Sequence, residues 1–292
     1  MARTDVVVGT DGTVAGAAAV QWAAREAGRR GAPLRIVHVF DWDYDELHSD
    51  CTGGRADVAR QIAETVVRAA VRQARTAAPG VEVEGDVLTG DAGAHLIELS
   101  GTVALVVTGT HRRSTLSGLL RGSVSMRLAT HAGCPVVVVR GPGTPGTGPV
   151  VVGVHDPARS DALLRAGYEA AELYGCGLRV VHSFIPVSTP WAVPGAPAAD
   201  DEAERALLTR ALAPWQERHP LVLTTMTLSH LPAAAALESA SRGAGLVVVG
   251  SRGHGAIAGT LLGSTALHLM RHAGCAVAVV RPHRPALQDL RP

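Results

Sequence analysis

The residues best suited to chemistry in this chain are glycines set around an apolar run. Leu246-Val-Val-Val249 leads into Gly250-Ser-Arg252-Gly253, nine residues follow, and Gly263-Ser264 opens a helical apolar pattern over Thr265 to His272. A strand, a glycine-rich loop and a helix start, in that order, let backbone N–H groups wrap a phosphate while the helix N-terminus favours the anion. An altered copy stands 141 residues earlier: Gly109-Thr-His-Arg112, nine residues, then Gly122-Ser123. A second chemical feature closes the first strand, Val8-Gly9-Thr10-Asp11-Gly12. If strands one and four are neighbours, Asp11 and the 109–125 loop line one crevice. The carboxylate would then accept hydrogen bonds from ribose hydroxyls while the loop takes the phosphates. Taken alone, Asp11 reads rather as the cap of the next helix, and the paired loop brings the two readings level.

Alternating strands and helices must position these groups. In the first half Asp5–Gly9 reads as a buried strand and Val14–Arg30 as an Ala-rich helix stopped by Gly31. Leu34–Phe40 is the second strand, and Val58, Ile62, Val66, Ala70 and Ala74 give helical spacing over Arg55–Ala78. Val81–Leu88 is the third strand, Asp91 caps a helix to Ser100, and Val103–Thr108 and Pro135–Val139 are the last two strands. The second half repeats the order with strands Val150–Val154, Leu178–Ser183, Leu221–Thr227, Leu246–Val249 and Ala276–Val280. Continuous Val-rich strands separated by helices predict a parallel sheet covered on both faces.

The repeat is long. Val8 to Phe40 aligns without a gap on Val152 to Phe184, an offset of 144, and Leu105 to Arg140 aligns on Leu246 to Arg281, an offset of 141. A period of about 140 residues is too long for a solenoid and fits tandem domains. The expected division is a first domain over 1–140, a Gly/Pro linker over 141–148, a second domain over 149–281 and a tail over 282–292.

Composition excludes several classes of function. The net charge of +1, with both signs interspersed, argues against a nucleic-acid footprint or a membrane-surface patch. No apolar run approaches the roughly 18 residues of a membrane span. The opening residues show no signal-peptide core, and four cysteines in a chain this long form no disulfide scaffold, so a cytoplasmic location is expected. All 27 Lys+Arg residues are Arg, so any cationic phosphate contact must come from Arg or His. His131-Ala-Gly-Cys134 and His272-Ala-Gly-Cys275 read as helix ends before a buried Cys rather than as metal ligands. Neither a Gly-x-Ser-x-Gly elbow nor a Gly-Lys-Ser/Thr loop is present. Trp42 and Trp191 fall in the loops after the second strands, where hydrophobic anchoring outweighs a lid role.

Gly-x2-Gly-x9-Gly-Ser after a Val-rich strand, with a Val-Gly-x-Asp-Gly start, resembles the universal stress proteins, in their ATP-binding branch. The resemblance covers nearly the whole chain, twice. It implies two tandem Rossmann-like α/β domains, each a doubly wound parallel five-stranded sheet in the order 3-2-1-4-5, related by a pseudo-two-fold. It also implies pairing of the last strands within the chain, giving a compact unit that could form a further homodimer. By the same resemblance the Gly9-Thr10-Asp11 strand end contacts adenosine, as do Gly153, Val154 and His155 in the second half. Val39 and Ser183 meet adenine through their backbones. Gly109, Arg112 and the segment Gly122, Ser123, Val124, Ser125 lie on the phosphates, matched by Gly250, Arg252, Gly253, Gly263, Ser264 and Thr265.

Neither copy of the motif is intact. Arg112 replaces the second motif glycine in the first half; its side chain obstructs a close backbone approach, or its guanidinium, with that of Arg113, binds phosphate instead. In the second half His155 replaces the aspartate, with Asp156 one residue along, and Ala266 replaces the last hydroxyl. The balance leans to the first half. The expected function is binding of ATP, with Mg2+ on the phosphates, in a stress-response sensor or regulator. No group is placed as a general base near a γ-phosphate, so at most slow hydrolysis is expected. The alternatives are an interaction module with decayed cradles and a weak ATP hydrolase.

Overall fold

The computed structural model describes residues 4–40, 54–110, 124–141, 148–184, 199–251 and 262–281. The chain divides into two compact units, Met1–Gly146 with Gly274–Ala278 and Thr147–Ala273 with Val279–Pro292, and β10 is counted with the second repeat, to which its sequence belongs. In the first, β1 (Val6–Gly9), β2 (Leu34–Phe40), β3 (Val83–Thr89), β4 (Leu105–Gly109) and β5 (Val136–Val139) alternate with α1 (Val14–Arg30), α2 (Gly54–Ala77), α3 (Ala92–Leu99) and α4 (Val124–His131). In the second, β6 (Val150–Val154), β7 (Leu178–Ser183), β8 (Thr224–Ser229), β9 (Leu246–Gly250) and β10 (Ala276–Val280) alternate with α5 (Asp161–Tyr174), α6 (Ala199–Arg218), α7 (Ala233–Ser241) and α8 (Ser264–His272).

The strand order is β3-β2-β1-β4-β5 in the first unit and β8-β7-β6-β9-β10 in the second. β1 runs parallel to both β2 and β4, with Gly9 opposite Val37 on one side and Thr108 on the other. β6 lies likewise between β7 and β9. The expected 3-2-1-4-5 order therefore holds in each unit. Winding reverses between β1 and β4, and between β6 and β9, which places a ligand crevice at those strand ends.

The central strands are buried on both faces: Val6, Val7, Val8, Val106 and Val107 are fully covered, as are Val150, Val151, Val152 and Val247. That explains their unbroken Val runs. α1 ends at Gly31 (φ +60) and α5 at Gly175 (φ +61), each N–H closing on carbonyls of the last turn. This left-handed cap sits at matching places in the repeat.

Several strand boundaries differ from the sequence reading, β4 running Leu105–Gly109 rather than Val103–Thr108, and two of the differences have a visible cause. β3 starts at Val83 rather than Val81, because the Val81 N–H closes a turn on the Ala78 carbonyl. β8 starts at Thr224 rather than Leu221, because the Val222 N–H closes the equivalent turn on His219. Apolar residues in these turns extend the strand pattern without belonging to the ladder.

Candidate functional site

The first strand end is built by a short relay of hydrogen bonds. The Thr10 N–H donates to Val37 O (3.0 Å), carrying the ladder one residue past β1. The chain then turns through Gly12 at φ +76. Asp11 Oδ1 accepts from the Thr13 N–H (3.0 Å) and the Thr13 hydroxyl (2.6 Å), and Thr13 Oγ1 accepts from the Gly16 N–H (3.2 Å). The helix cap is therefore Thr13. Asp11 lies one step earlier in an Asx turn that orients the cap, its carboxylate exposed at the switch point. Gly16 makes room for that carboxylate: a Cβ there would lie 2.6 Å from Thr10 Oγ1 and 2.7 Å from Asp11 Oδ1. Sequence reasoning passed over Gly16, since a glycine inside an Ala-rich helix shows nothing of what faces it.

On one side of Asp11 is the end of β2, with Val39 half-buried. His38 Nδ1 stands 2.8 Å from Thr10 O and must donate, because a carbonyl only accepts. The second unit repeats this brace with His182 Nδ1 3.0 Å from Val154 O. His182 is buried, and its Nε2 faces Glu204 Oε2 at 3.0 Å. Sequence reasoning missed both histidines as structural parts of the site. Their matching places, His38-Val-Phe40 and His182-Ser-Phe184, were the signal available.

On the other side is the end of β4. A Cβ on Gly109 would run into Ala15 O and lie 2.7 Å from the Ala15 carbonyl carbon, so this glycine lets β4 approach the first turn of α1. The Ser125 hydroxyl is buried and donates to Gly109 O (3.1 Å), tying the start of α4 back to the strand end. Val124 opens α4. Arg112, Gly122 and Ser123, and with them the phosphate loop itself, lie outside the described residues, as do Trp42 and Trp191.

The second unit keeps the loop base and changes the first strand end. Gly153 and Val154 close β6, His155 is exposed, and Asp156 caps a 3-10 turn over Pro157–Arg159 by accepting from the Ala158 N–H (3.0 Å). Ser160, buried, occupies the place of Gly16. The Ser183 hydroxyl donates to Leu231 O. Past Gly250 the Ser251 N–H donates to Val280 O (2.9 Å), and Ser251 O accepts from the Gly263 N–H (2.8 Å), which draws the two ends of the glycine loop together. Gly263 precedes α8 with no side-chain cap, and Ser264 and Thr265 form its first turn. Ser251 Oγ is buried with no hydrogen-bond partner among the described residues. Ala266, buried, stands where Ser125 ties helix to strand. Arg252 and Gly253 lie outside the described residues.

The helix after each loop is clamped to its neighbour differently. Arg127 Nη1 reaches both Asp91 oxygens, at 2.7 and 2.6 Å. Arg127 and the Ala94 N–H hold the Asp91 carboxyl below its ordinary range. At the matching place in α8, His268 Nε2 meets Glu238 Oε2 at 2.7 Å.

The sequence profile of the universal stress protein family matches residues 3–140 and again 147–281. A universal stress protein of Mycobacterium tuberculosis is 34% identical over 287 residues, covering 94% of this chain and 96% of its own. The crystal structure of a universal stress protein from Archaeoglobus fulgidus superposes with a TM-score of 0.72 at 16% identity, covering 96% of this chain and 99% of that one. A universal stress protein solved in complex with cAMP covers 48% of this chain and 98% of its own at 26% identity, with a TM-score of 0.37. The chain belongs to the universal stress protein family, with the family domain present twice. Among the described residues no helix is long and apolar enough to cross a membrane.

Proposed function

We propose that this protein binds an adenine nucleotide, ATP with Mg2+, and that the first unit, expected to span residues 1–140, holds the principal site. The observation that carries this is the placing of an exposed carboxylate, Asp11, between the ends of β2 and β4 at the switch point, in a turn that Gly16 leaves room for. A carboxylate there accepts the ribose diol, the backbone around Val39 meets adenine, and the segment over residues 122–125 takes phosphate. In the second unit Asp156 is engaged in its own 3-10 turn and His155 replaces the acid, while the clamped loop base from Gly250 to Thr265 retains an anion-binding design. Binding serves sensing in the cytoplasm rather than turnover.

The test starts with protein purified without added nucleotide, denatured so that any released nucleotide can be identified. Stripped protein is then titrated with ATP and Mg2+. About one adenine nucleotide per chain is expected. Asp11→Ala should weaken binding by roughly tenfold or more, the worth of a hydrogen bond to a charged group. Gly253→Arg should leave the principal site intact. Two nucleotides per chain would assign a working site to each unit. No binding at millimolar ATP would leave the interaction module as the better reading.

A further inference from the structure

Hydrogen bonds along β2 alternate between its two neighbours. The Leu34 N–H donates to Glu82 O and the Gly90 N–H to Phe40 O, so even-numbered residues direct their peptide groups to β3. Odd-numbered residues face β1. The Thr10 N–H donates to Val37 O, and the next bond of that ladder would run from the Val39 N–H to Thr10 O. Pairing stops one step short of it, at Gly9 opposite Val37. Thr10 O accepts from His38 Nδ1 instead, at 2.8 Å. Side chains stand out of the sheet, so this carbonyl has turned from the ladder toward the face that carries His38. The N–H and C=O of Val39, both directed to the β1 side, have no hydrogen-bond partner among the described residues.

The second unit shows the same segment closed. Its pairing runs on to Val154 opposite His182, the places of Thr10 and His38. That ladder starts with the Val150 N–H on Gly177 O, and in its phase the Ser183 N–H donates to Val154 O. His182 Nδ1 is then a second donor on that carbonyl, while its Nε2 faces Glu204. The histidine alone therefore does not open the edge. The turn does: the first unit turns through Gly12 at φ +76, and the second through the 3-10 turn over Pro157–Arg159. His38 supplies a donor for the carbonyl that the turn displaces. Its ring makes no other hydrogen bond among the described residues.

We propose that His38 is a positioning residue of the nucleotide site: it holds Thr10 O out of the ladder and so keeps the Val39 backbone open to the base. The inference rests on the nucleotide reading of the first unit. An N–H and a C=O side by side offer one donor and one acceptor. Adenine answers them with N1 as acceptor and its 6-amino group as donor, whereas guanine presents N1–H and O6, the reverse, on the same edge. Thr10 is buried, so its carbonyl needs a donor if His38 is removed. The next donor in the ladder is the Val39 N–H. Recruiting it closes the edge as in the second unit, and the base loses its partner.

Hydrogen exchange of the full chain without nucleotide, resolved by residue with NMR, reads the edge directly. Relative to intrinsic rates, the Val39 amide should exchange at least about tenfold faster than that of Ser183. In His38→Ala it should slow to the Ser183 level. ATP affinity should drop about tenfold and the preference for ATP over GTP should shrink with it. The melting temperature should stay within about 2 °C of the wild type, because a backbone bond replaces the one removed. His38→Asn, whose amide nitrogen takes the place of Nδ1, should restore fast exchange and ATP affinity, and His38→Gln, whose amide takes the place of Nε2, should not. A Val39 amide as protected as Ser183 in the wild type, equal losses of affinity in all three variants, or unaltered affinity in His38→Ala would overturn the inference. A wild-type chain that exchanges Val39 fast and binds no ATP would instead overturn the nucleotide reading on which it rests.

Discussion

Replacing Gly109 with alanine separates two roles that one glycine can serve. The sequence motif assigns it to a phosphate loop, whereas the structure gives it a packing role that needs no ligand. Its backbone does not require glycine, since Gly109 is absent from the positive-φ positions. The cost of Gly109→Ala is therefore steric. The new methyl would lie 2.7 Å from the Ala15 carbonyl carbon and closer still to its oxygen. An unstrained contact between heavy atoms needs about 3.5 Å, so β4 and the first turn of α1 must separate by nearly 1 Å. Both partners are backbone, so no rotamer change relieves the overlap. Gly9→Ala is the matched control: its methyl would meet Leu96 Cδ1 at 2.7 Å, the end of a side chain that can turn aside.

Overpacking of this kind costs about 1–3 kcal/mol, and the backbone contact puts Gly109→Ala near 2 kcal/mol or above, with Gly9→Ala below about 1 kcal/mol. In a domain of this size Gly109→Ala should lower the melting temperature by roughly 4–8 °C. Urea unfolding of the full chain, followed by far-ultraviolet circular dichroism, measures both variants against the wild type without nucleotide. If the two variants agree within about 0.5 kcal/mol, the close approach of β4 to α1 is not what demands a glycine at 109.

Two further outcomes follow from the same geometry. Asp91→Asn keeps a cap oxygen for the Ala94 N–H and removes the charge facing Arg127. Because folding lowers the Asp91 pKa below its ordinary 3.8, the wild-type pair contributes stability that is present above about pH 4 and lost as the pH falls through the folded value. The variant should be less stable at pH 7 by about 0.5–1 kcal/mol, the worth of an exposed pair after screening, and should converge on the wild type as the pH falls through the folded value. A constant offset across pH 2–7 in urea titrations would refute the assignment. Gly16→Ser copies the residue of the second unit and displaces Asp11 Oδ1 from Thr13, so ATP affinity should fall by about tenfold, as for Asp11→Ala, while far-ultraviolet circular dichroism stays unchanged. Unaltered affinity would mean that the carboxylate does not hold the nucleotide.

Much of this fold was legible because its signals are local and periodic. The Val runs of β1, β4 and β6 report burial on both faces, and Gly31 marks where α1 must stop. Strand order followed from the family resemblance, not from spacing alone. The errors fall where a residue's role depends on what lies across from it. Val81 and Leu221 continue a strand pattern, yet the chain there is turning. Asp11 has the composition of a helix cap, but Thr13, two residues on, takes that position because its hydroxyl can accept from Gly16 while donating to Asp11. Ser125 belongs to the phosphate segment by motif, while its proton is engaged by Gly109 O. No one-dimensional pattern distinguishes a hydroxyl that faces solvent from one that faces the strand beneath it.

The second unit's departures form a connected set rather than scattered losses. In the geometry of the first unit, a carboxylate after β1 requires a residue without a Cβ at position 16, because that Cβ would come within 2.7 Å of it. The second unit has Ser160 at that place and His155 in place of the acid. Either change alone removes the Asp11 type of turn, and the 3-10 turn capped by Asp156 occupies the space with hydrogen bonds of its own. Ala266 likewise gives up the tie that Ser125 makes, and His268 exchanges a permanent cation for a titratable one. The loop base from Ser251 to Gly263 nevertheless stays closed by backbone hydrogen bonds that no side-chain change disturbs. On the proposed reading, the second unit lacks the carboxylate turn that would select a nucleoside and keeps the closed base of its glycine loop. Under the proposed function, this combination favours the first unit as the nucleotide site.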